Sequence, residues 1–284
     1  MKKKLLIILL VIICFPFSAQ ADSVILMMGD GMGQNHLQCA QKDRELFMVT
    51  SPVQGVIQTR SASHEITDSA AAATAYSCGF KTINGFLGLI PDENRCLTIA
   101  EEAVDKKFPV GIYSTDVETG ASPSAFIAHV KSRHDREAIL EQKKSASERM
   151  NINYPVEKLS EIITPVLEKL NAENETFFVF FEEAYIDIYS HKNELDNMKK
   201  ALFDFDLSVR KAVEFTISHP DATVIVLADH ETGGLTETCE YTTQKHTPKH
   251  VPVFAFGKHA NLFMGEHENT AIYAKMRHIL FEKQ

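Results

Sequence analysis

The chain has 284 residues, 44% of them hydrophobic, which suits one large domain with a well-buried core. It carries 29 Lys and Arg against 38 Asp and Glu, a net charge of −9. An acidic balance of that size argues against a nucleic-acid binder, which needs a basic footprint.

Residues 1–21 read as a signal peptide rather than part of the fold. Lys2-Lys3-Lys4 form a positive n-region, Leu5 to Phe15 is apolar but too short to span a membrane, and Ala19-Gln20-Ala21 is a small-x-small cleavage site. Cys14 follows Ile13, which is too large for a lipobox; an uncleaved N-terminal anchor is the alternative. The mature chain, 22–284, is expected to be a single exported domain, periplasmic or extracellular, with no membrane span. Loss of three lysines takes its net charge to −12. Cys39, Cys78, Cys96 and Cys239 remain, with no C-x-x-C pair, which argues against a zinc knuckle or thioredoxin motif. Export permits disulfides, Cys78 and Cys96 being closest in sequence, but three pairings are open and buried thiols are equally compatible.

The first apolar run, 23–28, predicts a strand that ends at Gly29-Asp30-Gly31-Met32-Gly33. The third glycine comes one place early for a dinucleotide loop, and an acid would repel pyrophosphate, so Asp30 fits a metal ligand in a tight turn; a plain turn residue is the alternative. A helix is expected over 33–41 and a strand over 53–59. Asp68-Ser69 then opens an alanine-rich helix, 70–78. A serine at a helix N-terminus sits where the dipole favours negative charge, as a nucleophile or phosphate site would require, though both residues are also ordinary caps. A helix over 97–107 and strands over 109–113 and 125–130 follow. Arg133 comes just after the last of these, where a guanidinium could fork onto phosphate oxygens. Residues 131–149 read as a solvated helix face, with helices over 135–150 and 156–170.

The strand at 177–181 ends in Glu182-Glu183, either of which could be a ligand. Asp187 and His191 are four apart, so on a helix they share one side, as zinc ligands do; a surface pair is the alternative. After a helix over 193–218, the strand 223–228 ends in Asp229-His230. His246 lies in a polar loop before the strand 251–256, and a helix over 270–281 closes the chain. Strands that are continuously apolar are buried on both faces. Their alternation with helices predicts an α/β three-layer sandwich, a mostly parallel central sheet flanked by helices. Ligands in such folds sit beyond the carboxyl ends of the strands. Asp, Glu, His and Ser converging there describe a multi-metal hydrolytic site.

At this point the chain resembles the alkaline phosphatases over essentially its whole mature length. The matching blocks are Gly29-Asp30-Gly31-Met32-Gly33, Thr67 through Ala75, Lys81-Thr82-Ile83-Asn84-Gly85, Ser122-Pro123-Ser124-Ala125-Phe126 through Arg133, Ala228-Asp229-His230-Glu231-Thr232-Gly233-Gly234 and His246-Thr247-Pro248. The resemblance implies a secreted phosphomonoesterase with Ser69 as the nucleophile that is phosphorylated and Arg133 clamping phosphate. It implies one Zn2+ on Asp187, His191 and His246, and a second on Asp30, Asp229 and His230. One Mg2+ would be shared by Asp30, Ser122 and Glu182; Glu182 is chosen over Glu183 because the family's acid lies five residues before the Asp ligand.

The chain also departs from the family. The stretches from Arg133 to Glu182 and from His230 to His246 are short, so the large insertions that help dimerisation in bigger members are missing, which weakens the expectation of a homodimer. Gly120 stands where many members carry Asp or His near the magnesium, and Ile188 follows Asp187 where others have a basic residue. A phosphodiesterase of the same superfamily is a rival reading, but those commonly use Thr and lack the arginine. A non-catalytic zinc- or phosphate-binding protein on the same fold is another, against which the nucleophile itself argues.

Overall fold

The structure, a computed structural model, describes residues 22–174 and 176–282. The expected leader, with Cys14 and its cleavage site, lies outside the described residues.

The first half of the chain forms β1 (Ser23–Gly29), α1 (Gln34–Gln41), β2 (Val53–Gln58), α2 (Ser69–Cys78), α3 (Ile99–Asp105), β3 (Val110–Ser114), α4 (Ala121–Ser124) and α5 (Arg136–Ala146). The second half forms β4 (Asn151–Asn153), α6 (Leu159–Glu173), β5 (Phe178–Glu183), α7 (Tyr185–His191), α8 (Leu195–Ser218), β6 (Ala222–Leu227), β7 (Glu231–Thr232), β8 (His246–Thr247), β9 (Val251–Gly257), β10 (Gly265–Glu268) and α9 (Asn269–Phe281). Eight strands make one sheet in the order β10-β2-β9-β6-β1-β5-β3-β4, and β7 pairs with β8 apart from it. Only β9 runs against its neighbours in the large sheet; the other pairings are parallel. This is the expected sandwich.

The centre of the sheet is apolar on both faces. Val24 to Met28 of β1 are fully buried, as are Phe178, Phe180 and Phe181 of β5. Side chains from opposite faces of each strand need helices on both sides of the sheet to bury them, which is why the sequence alternates strand and helix.

One expected strand is absent. Residues 125–130 leave α4 in a succession of tight turns and make only an isolated bridge, Leu87 with Val130. The run is apolar because Phe126 packs its ring 4.5 Å from that of Phe180. It needs no strand partner because side chains take its carbonyls. Ser77 Oγ donates to Ala125 O at 2.7 Å and Thr98 Oγ1 donates to Phe126 O at 2.8 Å. Short elements beyond the expected ones include α4, α7, β4, β7, β8 and β10, and α7 follows directly on the end of β5.

All four cysteines outside the leader pair, as Cys39–Cys239 and Cys78–Cys96, with Cα separations of 5.7 and 5.8 Å. The first bond ties α1 to the loop after β7; the second ties the end of α2 to the segment before α3. No described helix is long and apolar enough to cross a membrane.

Candidate metal centre

Parallel pairing brings the candidate acids together. In the order β6-β1-β5 the strands stay in register, Met28 lying opposite both Leu227 and Glu182. Asp30, Glu182 and Asp229 therefore emerge at one edge of the sheet. Gly31 has φ +71°, and a Cβ there would lie 2.9 Å from both Asp187 Cβ and Thr232 Oγ1, so glycine lets the backbone turn between the ligand segments. Its N–H donates to Asp229 Oδ1 at 3.0 Å, which also accepts from His230 N at 2.9 Å. That leaves Asp229 Oδ2, 3.1 Å from His230 Nε2, accepting no hydrogen bond. One ligand-type atom each from Asp30, Asp229 and His230 lie within 4.8 Å of one another.

Ser69 faces this group. It is the first residue of α2, is 4% exposed, and its Oγ is 3.2 Å from His230 Nε2. Asp68 is the N-cap, accepting from Ala71 N at 3.0 Å through Oδ1. Both readings of Asp68-Ser69 thus hold at once: the cap orients the helix, and the serine occupies the positive end. Asp68 Oδ2 also accepts from Gly85 N at 3.0 Å and lies 3.4 Å from Arg133 Nη1. Arg133, expected at a strand mouth, instead follows the buried turn, with its N–H on Gly85 O at 2.8 Å. Its half-buried side chain and Asp116 line a cavity of about 300 Å³.

The second cluster comes from α7 and β8. Asp187 Oδ2 and His191 Nε2 are 3.3 Å apart, as their spacing on one helix face predicts. His246 Nε2 lies 3.1 Å from His191 Nε2 and 3.7 Å from Asp187 Oδ1. The other ring nitrogens are committed, His191 Nδ1 to Gln244 O at 2.6 Å and His246 Nδ1 to Thr67 O at 3.0 Å. A carbonyl only accepts, so each Nδ1 carries a proton and the two Nε2 lone pairs face one another. Such a pair needs a cation between its members, proton or metal. Asp187, His230 and His246 also offer atoms within 4.8 Å of one another, so the two clusters adjoin through His230.

The third group is Glu182 with Ser122. Glu182 is fully buried; its Oε2 accepts from Ser114 Oγ, while Oε1 has no partner. Ser122 Oγ and Asp30 Oδ1 are likewise buried without a partner. An orphaned buried oxygen costs on the order of 1–3 kcal/mol.

The charges pose the same problem. Burial, then the neighbouring Asp229, Asp187, Glu182 and Asp116, pushes the Asp30 carboxyl well above its usual range. Burial and Asp116 do the same to Glu182, and burial raises Asp229 to about 6. Burial also drives the His230 imidazole well below its ordinary value. Asp187 goes the other way: burial opposes its ionisation, but the imidazoles of His191, His230 and His246 around it outweigh it. Carboxylate oxygens, a hydroxyl and inward-facing imidazole nitrogens form a donor set that divalent cations fit. Of the ten residues singled out from the sequence, Arg133 lies in the loop before α5 beside Asp68, and the others lie at this edge or on the elements that border it.

Sequence reasoning missed the supports. Thr232 Oγ1 donates to Asp187 Oδ1 and lies 3.2 Å from His230 Nδ1, joining the two clusters. Ser114 holds Glu182, and Asp116 stands beside it. Asp116 carried one visible signal, an acid just past a strand end. Thr232 carried none beyond its place in the block after His230.

Comparisons with known proteins bear on the family and the fold. An alkaline phosphatase family model matches residues 21–158, and a metalloenzyme superfamily model matches 118–279. Alkaline phosphatase 3 of Bacillus subtilis is 24% identical over 76% of this chain and 62% of its own length. The alkaline phosphatase of Schizosaccharomyces pombe is 28% identical over 75% of this chain and 56% of its own. This chain therefore spans less than two thirds of these relatives. The solved alkaline phosphatase from the Antarctic bacterium TAB5 superposes with a TM-score of 0.82 at 25% identity, covering 93% of this chain and 99% of that one. A variant of that enzyme has Mg bound in its M3 site.

Proposed function

Because this chain belongs to the alkaline phosphatase family of metalloenzymes, we propose that it is a phosphatase that hydrolyses phosphate monoesters through a phosphoserine on Ser69. The observation that carries this reading is the Ser69 hydroxyl, 3.2 Å from His230 Nε2, beside buried carboxylate oxygens that have no partner. A structural cap would have no use for such a setting.

Asp187, His191 and His246 would hold one zinc, Asp30, Asp229 and His230 a second, and Asp30, Ser122 and Glu182 a magnesium. Bound there, these ions would favour ionisation of the serine and neutralise charge on the leaving oxygen. The chain's own residues do the rest. The α2 N-terminus adds its dipole to the stabilisation of the Ser69 oxyanion. Ser69 Oγ forms a bond to phosphorus as the bond to the ester oxygen breaks in line with it. Arg133, steadied by Asp68, forks onto the non-bridging oxygens. Water then displaces Ser69 from phosphorus, releasing inorganic phosphate. The guanidinium supports monoesters over diesters, because a monoester has one more charged oxygen to pair. Two disulfides and the 1–21 leader support an exported enzyme, since such bonds persist in oxidising compartments.

The test uses the mature protein with an aryl phosphate at alkaline pH, with a bis-aryl diester in parallel. Wild type should turn over the monoester faster than the diester, stop with chelator, and recover with zinc. Ser69→Ala should lose at least about a thousandfold in kcat. A wild type loaded with zinc and magnesium that is no faster than Ser69→Ala would end the enzyme reading.

A further inference from the structure

Asp30, Ser122 and Glu182 are all in place at the third metal position, and the neighbouring Gly120 leaves a space that another side chain enters. Gly120 has φ −48° and ψ 136°, a backbone that any residue adopts, so its conformation does not require glycine. Space does. A Cβ on Gly120 would lie 2.3 Å from Asp116 Oδ2, 2.7 Å from its Cγ and 2.8 Å from its Cβ. The carboxylate of Asp116 therefore stands where a side chain of residue 120 would begin.

The backbone of Asp116 is tied to the Glu182 carboxylate, and the Asp116 charge is near enough to help raise the Glu182 carboxyl. Ser114 Oγ donates to Glu182 Oε2 and accepts from Asp116 N at 2.8 Å, linking the two acids through one hydroxyl. Asp116 Oδ1 accepts from Val117 N at 2.7 Å, and among the described residues no hydrogen bond reaches Oδ2. Ser122, two residues after Gly120 on α4, turns toward Glu182, and α4 packs on β3 and β5. Ser122 Oγ (residue 1% exposed) and Glu182 Oε1 (residue 0% exposed) have no partner. The buried, unpartnered Ser122 hydroxyl, which is no acid, calls for a ligand in the same place.

We infer that Asp116 supplies the carboxylate that completes the Ser122–Glu182 cation site, and that Gly120 is glycine to admit it. A divalent cation with a preference for oxygen donors, such as Mg2+, suits this set. The inference rests on the phosphatase reading of the neighbouring metals and adds a ligand to it.

The test measures metal binding, not rate. Zinc-loaded mature protein is titrated with Mg2+ by calorimetry, and its metal content is read by elemental analysis. Wild type should bind one Mg2+ beyond its zinc. Asp116→Asn keeps shape and the Val117 hydrogen bond, and should weaken Mg2+ by about tenfold or more with zinc content unchanged. Gly120→Ala, whose methyl displaces the carboxylate, should lose Mg2+ in the same way. The double variant D116G/G120D, which moves the carboxylate across, should recover affinity to within about threefold of wild type. Wild-type Mg2+ affinity in Asp116→Asn overturns the assignment, and a raised KM for the ester alongside it would make Asp116 a partner of Arg133 instead. A wild type that binds zinc and cleaves ester but takes no Mg2+ overturns the Asp116 role and leaves the phosphatase reading standing; one that binds no zinc overturns both.

Discussion

Glu182 and Glu183 are adjacent, both buried at the end of β5, yet they belong to different chemistry. Successive side chains of a strand point to opposite faces. Glu183 points to the face where Thr115 Oγ1 donates to its Oε1 at 3.0 Å and Tyr185 N donates at 2.9 Å. It borders a cavity of about 610 Å³ walled in part by Tyr185 and Tyr189. Glu182 points the other way, toward Ser122 and Asp116, with one oxygen unpaired. Burial raises both carboxyls, Glu183 to about 7. A shifted acid therefore does not by itself point to a ligand in this molecule; the role proposed for Glu182 rests instead on its unpaired oxygen facing other buried acids.

The widest separation of the two faces should appear in activity. Glu182→Gln should cost about a hundredfold in kcat/KM with loss of magnesium, whereas Glu183→Gln should stay within about threefold. Equal losses in steady-state assays would erase the distinction.

Stability against pH should separate them in the other sense. Glu183 has its folded value raised from 4.5 to about 7, so the native state holds its proton more tightly than the unfolded chain. Its stability is therefore fully present below pH 4.5 and is lost as pH rises through 7. Glu183→Gln keeps an acceptor for Thr115 and Tyr185 and cannot ionise. It should be more stable than wild type at pH 8 by about 2 kcal/mol, with the difference fading toward pH 4.5. A pH-independent difference in denaturant titrations would mean that packing, not the Glu183 proton, sets it.

Within the metal-facing side, Arg133→Ala should lower kcat/KM by about tenfold to thirtyfold without changing zinc content. A loss of zinc would mean that Arg133 holds the fold rather than phosphate. The smallest effect belongs to the opposite wall: Tyr185→Ala should alter kcat/KM for a small aryl phosphate by less than about threefold. A larger change would join the two faces into one substrate site.

The sheet was legible because buried parallel strands are continuously apolar, and 23–28 and 223–228 needed no other signal. The run at 125–130 misled because an apolar stretch reports burial, not backbone shape. Its carbonyls are satisfied by Ser77 and Thr98, two hydroxyls far away in sequence. Residues such as Asp30, Asp187 and His230 could be read from motifs and spacing. Asp116 could not, since Glu182 is brought to it by the pairing of β3 with β5, and its fit against Gly120 is a matter of space rather than spacing.

The Cys39–Cys239 bond closes a loop across 200 residues, and it does so within about ten residues of both Asp30 and Asp229. Those two carboxylates stay near each other even when the rest of the chain has melted, at an effective concentration on the order of millimolar. An oxidised, denatured chain would keep some grip on a cation that a reduced one would lose. Because binding to the unfolded state subtracts from what a ligand adds to stability, zinc should raise the melting temperature less when this bond is intact than when it is cut. The bond would recover as rapid capture of the ion during refolding what it gives up in the metal's thermal protection.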